Sequence, residues 1–171
     1  SGQLDDTLTF CTIDNGGCHV EYGANRKGDY LPEKTRDGQP MKPGNLTELM
    51  PGPEITYQSY GYGWANLSNT PYRLFKQYDH EGGIHTPMIA HWPNGIKGKG
   101  TTSSTLSHLV DLMPTILEAT KVKPSEQSGG AKRIAWDGRS ILPSLLGKKQ
   151  PDPAVLFFNH ARGKAIRTGN W

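Results

Sequence analysis

The sequence predicts an α/β fold, in which strands and helices alternate along one chain. Two short apolar runs, residues 8–13 and 88–93, have the length and composition of buried strands. Between residues 106 and 117, apolar side chains recur at helical spacing, which gives a helix one face for packing on a sheet. Together these three segments predict a sheet that is covered by at least one helix.

The first half of the chain is predicted to have few regular elements. Leu8–Ile13 is expected to be a strand in the middle of the sheet. From Glu21 to about Tyr62 there is little apolar periodicity and much Gly, Pro and charge, which is typical of an irregular surface segment. Long loops of this kind often set substrate choice. Five charged residues are therefore candidates for recognising the organic part of a substrate or for holding the loop together: Arg26, Lys27, Asp29, Lys34 and Arg36.

The second half is predicted to be more regular. A strand at Met88–Pro93 and a Gly/Lys-rich loop precede an extended stretch to Val110, after which a helix runs from about Asp111 to Thr120. Asp111 is a good N-cap and Pro114 fits the first helical turn, so these two residues define the start of the helix. Its apolar face is expected to cover the sheet.

Three further elements are predicted beyond this helix. Residues 121–133 form a polar loop, and Ile141–Leu146 form a short helix that ends at Gly147. A strand at Val155–His160, a turn at 162–164 and a second strand at 165–167 form a hairpin.

A tetrad, Asp14-Asn15-Gly16-Gly17, follows the first predicted strand. Ligands of open α/β sheets bind just beyond the carboxyl ends of strands, which is where this tetrad lies. A carboxylate and an amide carbonyl are hard oxygen ligands that suit calcium or magnesium. Gly16 and Gly17 would let the backbone turn and leave room for an ion or substrate. The alternative is an ordinary turn without a ligand.

A second motif consists of Lys76 and the run His80-Glu81-Gly82-Gly83. An ammonium group is a compact charge suited to stabilising an oxyanion, although most lysines are simply solvated. Glu81 is expected to be a buried anchor that is hydrogen-bonded to backbone. Gly82 and Gly83 are expected where two stretches of backbone pack closely.

Six histidines are candidates for proton transfer near neutral pH: His19, His80, His85, His91, His108 and His160. His80 is expected nearest the pocket because it lies next to Glu81 and four residues after Lys76. His160 is the second candidate. His91 and His108 are expected to be partly buried structural residues, because they lie in segments that pack in or on the sheet.

These motifs belong to a longer series of segments whose order is distinctive. The series also includes Leu49-Met50-Pro51-Gly52-Pro53, Trp64-Ala65-Asn66, Asn69-Thr70-Pro71-Tyr72-Arg73, His108 to Thr115, and Leu156-Phe157 through Arg167 and Trp171. With its segments in this order, the chain resembles the formylglycine-dependent sulfatases of the alkaline-phosphatase superfamily, in particular the arylsulfatase branch. The resemblance covers most of the chain.

The resemblance implies an architecture as well as a class. The chain would be a C-terminal portion of a longer protein with an alkaline-phosphatase-like three-layer α/β/α domain. Residues 1–147 would be the C-terminal half of that catalytic domain, and residues 148–171 would begin a small antiparallel α+β subdomain. The predicted hairpin would be the first part of this subdomain.

The resemblance also assigns roles to particular residues. Asp14 and Asn15 would be ligands of calcium, with magnesium possible, and Lys76 would contact the sulfate group. His80 and His160 would be catalytic, the latter because the matching segment of the family folds back towards the substrate cleft. The substrate would be an aryl or carbohydrate sulfate, and the setting would be periplasmic, secreted or lysosomal.

The nucleophile of these enzymes is absent from the sequence. It is a formylglycine made from Cys or Ser in a Cys/Ser-x-Pro-x-Arg signature, and neither Cys11 nor Cys18 is followed by one. The formylglycine is therefore expected in the missing N-terminal part. Since a lysine and half a metal site cannot hydrolyse a sulfate ester, the isolated chain is expected to be inactive.

Two alternatives remain open. A phosphodiesterase or phosphonate hydrolase of the same superfamily would more often show two transition-metal sites with extra His and Asp ligands. A pseudoenzyme that binds sulfated glycans without turnover would differ only upstream of this sequence.

Composition excludes other classes of function. A net charge of +3 with scattered Lys and Arg argues against a nucleic-acid partner, and no apolar run approaches the length of a membrane span. The expected partners are instead a sulfated small molecule or glycan and the remainder of the polypeptide. The two cysteines are expected to be buried or partly buried thiols rather than a disulfide.

Overall fold

A computed structural model describes residues 2–25, 30–153, 155–160 and 163–169. Three candidate recognition residues, Arg26, Lys27 and Asp29, lie outside the described residues, as do the predicted turn residue Arg162 and Trp171. The chain forms two compact units. The first contains residues 1–11, 88–157 and 166–171, and the second contains residues 12–87 and 158–165.

Both strands and helices are present, as an α/β fold requires. The strands are β1 (Thr9–Thr12), β2 (Lys42–Pro43), β3 (Thr56–Tyr57), β4 (Met88–His91), β5 (Gln127–Ser128), β6 (Ala131–Lys132), β7 (Leu156–His160) and β8 (Gly163–Arg167). The helices are α1 (Gly61–Asn69), α2 (Glu81–Ile84), α3 (Leu112–Thr120) and α4 (Leu142–Leu145), with 3₁₀ turns at Leu4–Asp6 and Leu109–Asp111. Within the described ranges the strands pair two by two, as β1–β4, β2–β3, β5–β6 and β7–β8.

The prediction that the first strand is buried was wrong for the described part of the chain. Three of the four residues of β1 are exposed, and β4 alternates between half-buried and exposed positions. A strand is buried on both faces only where strands flank it and helices cover it, and here β1 has β4 as its neighbour. The alternation in β4 places His91 on the exposed side, so the expectation that it is partly buried was also wrong.

The helix α1 was not predicted from the sequence. Gly61 and Gly63 are poor helix formers and obscure its pattern. Its buried face consists of Gly61, Ala65 and Asn69, which recur every four residues and are small or polar. Because Ala65 has only a methyl side chain, the backbone of Gly17 approaches this face closely, and a Cβ on Gly17 would lie 3.0 Å from the Ala65 Cα.

The predicted helix at 111–120 is confirmed as α3, but its approach differs from the prediction. Leu109 and Val110 belong to a 3₁₀ turn rather than an extended stretch. The turn is closed by the His108 N–H, which donates to the Asp111 carboxylate at 2.8 Å, and by the Val110 N–H, which donates to His108 Nδ1 at 3.3 Å. His108 is half-buried, as predicted.

The helix α3 packs mainly against this turn and α4. It was predicted to cover the sheet, but its apolar residues Met113 and Ile116 remain 46% and 38% exposed. The contact with α4 is polar at its centre. The fully buried Thr115 hydroxyl donates to the Asp111 carbonyl oxygen at 2.6 Å and accepts from the Ile141 N–H at 3.0 Å.

The remaining elements follow the predictions with local differences. The short helix is α4, one residue shorter at each end than predicted, and Gly147 follows it with φ of 78°. The predicted loop at 121–133 contains the hairpin β5–β6, whose two turn residues, Gly129 and Gly130, both have positive φ. The hairpin β7–β8 is present as predicted.

The long segment after residue 20 is largely irregular, as predicted, and its regular structure in the described residues is the two-residue pair β2–β3 and the bridge between Lys34 and Pro40. Neither cysteine forms a disulfide, as predicted. Cys18 is half-buried, but Cys11 is exposed, so the burial expected for it was wrong. None of the described helices has the length and hydropathy needed to cross a bilayer.

Candidate functional site

The two motifs singled out in the sequence meet in the second unit through backbone hydrogen bonds. The Gly16 N–H donates to the Gly83 carbonyl at 3.0 Å, and the Lys76 N–H donates to the Gly17 carbonyl at 3.1 Å. Residues that are some 60 positions apart in the sequence are therefore held side by side. We call the contact of Gly16, Gly17, Gly82, Gly83 and Asn69 the glycine junction.

Glycine is required in this junction because other backbone atoms occupy the space of a side chain. A Cβ on Gly16 would lie 1.7 Å from the Gly82 carbonyl oxygen. A Cβ on Gly82 would lie 2.1 Å from the Leu74 carbonyl oxygen, and a Cβ on Gly83 would lie 2.0 Å from the Tyr78 carbonyl oxygen. The close backbone packing predicted for Gly82 and Gly83 is confirmed. For Gly16, the expected room for an ion or substrate is instead filled by Gly82.

Asn69 completes the junction, and the sequence analysis gave it no role of its own. This residue is 9% exposed. Its Oδ1 accepts from the Gly17 N–H at 3.0 Å, and its Nδ2 donates to the Leu74 carbonyl at 2.8 Å. The available signal was its place at the start of the Asn69-Thr70-Pro71-Tyr72-Arg73 segment, where a polar residue precedes a proline turn.

Asp14 and Asn15 lie directly before the glycine junction. Asp14 is exposed, and Asn15 is half-buried with its Nδ2 donating to the Gly16 carbonyl at 2.9 Å. That bond fixes which end of the amide is engaged and leaves Oδ1 free of described partners. In the described residues, no group of three or more His, Cys, Asp or Glu side chains is arranged to hold a metal ion. Asp14 and Asn15 thus supply a carboxylate and an amide oxygen as hard ligands, and within the described ranges they do not form a closed metal site.

Lys76 lies in a segment with an unusual backbone. It is half-buried, and two residues near it, Leu74 and Gln77, have φ of 66° and 81°. Positive φ is uncommon for residues with a Cβ and costs about 1–3 kcal/mol where surrounding contacts impose it. Strain at residues 74–77 therefore accompanies the placement of Lys76 beside Gly17.

A cleft of about 720 Å³ brings the two candidate catalytic histidines together. His80 and His160 both line it, and both are exposed. Its other described lining residues are Gln77, Tyr78, Asp79, Gly163, Lys164 and Ala165. None of these six was assigned to a site from the sequence, because the contact depends on how the hairpin β7–β8 meets the segment after Lys76.

The burial that was predicted for Glu81 was wrong. Its side chain is 43% exposed, and its Oε2 lies 2.6 Å from His85 Nδ1. The His85 ring in turn stacks on Tyr72 with 4.3 Å between the ring centroids. The spacing of four residues places Glu81 and His85 on the same side of one helical turn, which brings the two side chains together.

Two polar atoms near the cleft are buried without a hydrogen-bond partner among the described residues, namely His19 Nδ1 and Asp79 Oδ2. The His19 ring packs against Tyr62, Phe75 and Tyr78, with centroid distances of 5.0, 5.3 and 6.0 Å. Its aromatic surroundings give His19 a packing role, which sequence reasoning did not assign to it.

Comparison with known proteins identifies the class. The family model described as "Sulfatase" matches residues 1–122, which is well over half of the chain. The chain therefore belongs to the sulfatase family, a family of sulfuric ester hydrolases with an alkaline-phosphatase-like α/β fold, and the family resemblance seen in the sequence is confirmed.

Individual relatives agree with this class. The chain is 40% identical over 175 residues to an uncharacterized sulfatase of Schizosaccharomyces pombe, a match that covers 99% of the chain and 30% of the relative. It is 31% identical over 104 residues to the N-acetylgalactosamine-6-sulfatase of Canis lupus familiaris, a match that covers 61% of the chain and 19% of the relative. It is 33% identical over 84 residues to arylsulfatase G of Mus musculus, a match that covers 48% of the chain and 14% of the relative. The matches thus span less than a third of the length of these relatives.

Proposed function

We propose that the protein to which this chain belongs hydrolyses sulfate esters, either aryl or carbohydrate sulfates. The observation that carries the proposal is the glycine junction, because it fixes the Asp14-Asn15 pair beside the backbone of Lys76. A metal-ligand pair and an oxyanion-binding cation held at one place are two of the parts that sulfate ester hydrolysis needs, beside a nucleophile. Membership of the sulfatase family supports the same reaction.

In this proposal Asp14 and Asn15 hold calcium, with magnesium as the alternative. Their carboxylate and amide oxygens fit the ion, since hard divalent cations prefer oxygen ligands and neither oxygen is engaged by another described side chain. Calcium takes six to eight ligands, so the remaining ones come from water and from residues outside this chain. When bound, the ion would polarise the sulfate oxygens.

Lys76 would contact the sulfate group through its ammonium. Its backbone is fixed by the hydrogen bond to Gly17, and its side chain forms no ion pair with any described residue. An ammonium without a protein counter-ion is available to stabilise negative charge that develops on the ester oxygens. His80 and His160 would transfer protons from the cleft that they share.

The nucleophile, a formylglycine, would come from a part of the protein outside this chain, because no Cys/Ser-x-Pro-x-Arg signature occurs here. The 171-residue chain alone would therefore be inactive. The three-layer α/β/α sheet would likewise be completed by the rest of the polypeptide, with residues 148–171 beginning the small subdomain. The protein would act in a periplasmic, secreted or lysosomal setting.

The test uses the full-length protein with calcium and 4-nitrophenyl sulfate. Lys76→Ala is expected to lower kcat/KM at least about 100-fold, since loss of one oxyanion-stabilising group typically has an effect of this size. Lys97→Ala is the matched control, because Lys97 is exposed and lies in the first unit. Asp14→Asn is expected to weaken calcium binding in titration calorimetry, a readout that does not depend on turnover.

A full-length protein that hydrolyses no sulfate ester in the presence of calcium would contradict the proposal. Unchanged kinetics in His80→Ala or His160→Ala would remove that histidine from the proton-transfer role while leaving the reaction class intact.

A further inference from the structure

We propose that the cleft lined by Tyr78, Asp79, His80, His160, Gly163 and Lys164 binds the alcohol part of the sulfate ester, and that this alcohol is a sugar with a second anionic group. The inference rests on the proposed function and specifies its substrate class. All of these residues belong to the second unit. The volume of about 720 Å³ lies within the roughly 300–1,000 Å³ of small-molecule sites.

Asp79 is the first reason to expect hydroxyl groups. Its Oδ2 is buried without a hydrogen-bond partner among the described residues, and its carboxylate forms no ion pair there. A carboxylate oxygen that has lost water and gained no donor raises the free energy of the folded protein. A sugar hydroxyl entering the cleft donates a hydrogen bond to this carboxylate, whereas an unsubstituted aryl ring offers no such donor.

Gly163 makes room for this carboxylate. A Cβ on Gly163 would lie 2.3 Å from Asp79 Oδ2 and 2.8 Å from its Cγ. The start of β8 therefore accommodates Asp79 against its backbone only because residue 163 lacks a side chain. Asp79 and Gly163 thus lie side by side at the wall of the cleft.

Lys164 is the reason to expect a second anionic group. His80, His160 and Lys164 are exposed at the cleft, and none of them pairs with an acid in the described parts of the chain. The Lys164 ammonium forms no ion pair with Asp79, the one acid among the described lining residues. A carboxylate or second sulfate on the sugar would supply the missing counter-ion.

Tyr78 adds an apolar surface beside these polar groups. Its ring lies 6.3 Å from that of His80 in a T-shaped arrangement and 6.0 Å from that of His19. An aromatic face next to convergent polar groups suits a ring with polar substituents on its edges. A neutral aryl alcohol would use this face and leave the charged groups without partners.

The test measures kcat/KM of the full-length protein on three kinds of ester: the 2- and 3-sulfates of glucuronate, the 2- and 3-sulfates of glucose, and 4-nitrophenyl sulfate. Lys164→Gln is expected to lower the ratio of glucuronate to glucose esters about tenfold, because it removes a charge that meets the carboxylate. Asp79→Asn is expected to lower the ratio of glucose to aryl esters about tenfold, because the amide is a poorer acceptor of hydroxyl hydrogen bonds.

Lys97→Gln and Asp137→Asn are matched controls at exposed positions of the first unit, and both ratios should keep their wild-type values in them. Because both kcat/KM values in a ratio are measured on the same variant, a smaller fraction of folded protein lowers both equally and leaves the ratio unchanged. Gly163→Ala supplies a second approach, because its Cβ displaces Asp79 and should lower the glucose-to-aryl ratio as Asp79→Asn does.

The outcomes separate this inference from the proposed function. A wild-type protein that cleaves 4-nitrophenyl sulfate but no sugar sulfate, or variants that leave both ratios unchanged, would overturn the assignment of the cleft and leave sulfate ester hydrolysis standing. A protein that cleaves none of the esters would refute the proposed function itself.

Discussion

In the second unit, the backbone of the glycine junction packs too closely for side chains at its glycines, whereas in the first unit α3 and α4 meet through buried polar side chains. Gly16 and Gly83 form a direct backbone hydrogen bond, and no space for a Cβ remains. Between α3 and α4, Thr115 and Asp111 satisfy backbone groups that would otherwise be buried and unpaired. We call this second contact the polar junction. The first contact is limited by steric space and the second by hydrogen bonding, so different substitutions should break them.

The largest effect is expected for Gly16→Ala. Its Cβ would lie 1.7 Å from a backbone oxygen, and a carbonyl cannot move aside as a flexible side chain does. We expect a loss of more than about 3 kcal/mol in the free energy of unfolding, and with it loss of soluble full-length protein. Urea denaturation followed by circular dichroism measures this loss.

Gly63→Ala is the matched control and should have the opposite sign. Gly63 lies inside α1 with no positive φ, and no atom beyond its chain neighbours and the nearby helix backbone lies within 4 Å of the position of its Cβ. Alanine there should stabilise the protein by about 0.5–1 kcal/mol through helix propensity. If Gly16→Ala and Gly63→Ala behaved alike, steric space would not be what holds the glycine junction.

The next largest effect is expected for Thr115→Val in the polar junction. Valine keeps the shape of threonine but leaves the Ile141 N–H without its acceptor in a fully buried position. The expected cost is about 1–3 kcal/mol in the free energy of unfolding. Thr120→Val is the control, since the exposed Thr120 hydroxyl donates to the Ile116 carbonyl near the end of the same helix. Its cost should stay within about 0.5 kcal/mol.

The smallest effect is expected at Asp37, which is exposed. Hydrogen bonds from Thr35 and Gln39 hold the pKa of Asp37 below its ordinary value. A lowered pKa stabilises the folded protein above the ordinary pKa, and this contribution disappears as pH falls through the folded pKa. Gln39→Ala should raise the pKa of Asp37 part of the way back, as measured by NMR titration. Gln3→Ala should leave it unchanged, and an equal rise in both variants would contradict the assignment.

Local sequence signals predicted the elements that are stabilised locally. The start of α3 follows from Pro114, the end of α4 from Gly147, and the β7–β8 hairpin from its strand-turn-strand pattern. Asp111 precedes α3 as predicted, but its carboxylate accepts from the His108 and Arg139 N–H groups and does not cap the helix. The helix α1 was missed because its stability depends on burying Gly61, Ala65 and Asn69 against other parts of the chain, which helix propensity does not register. The same applies to the exposure of β1, which depends on how many strands flank it.

By itself, the sequence determined the family, the closeness of backbone at Gly82 and Gly83, and the candidates Asp14, Asn15, Lys76, His80 and His160, because residue types in a fixed order carry that information. Only the tertiary structure decided that Asn69 joins the two motifs and that Asp79, Gly163 and Lys164 share a cleft with the histidines. These contacts join residues far apart in the chain. Their geometry is set by packing and hydrogen bonding in three dimensions, which no local pattern encodes.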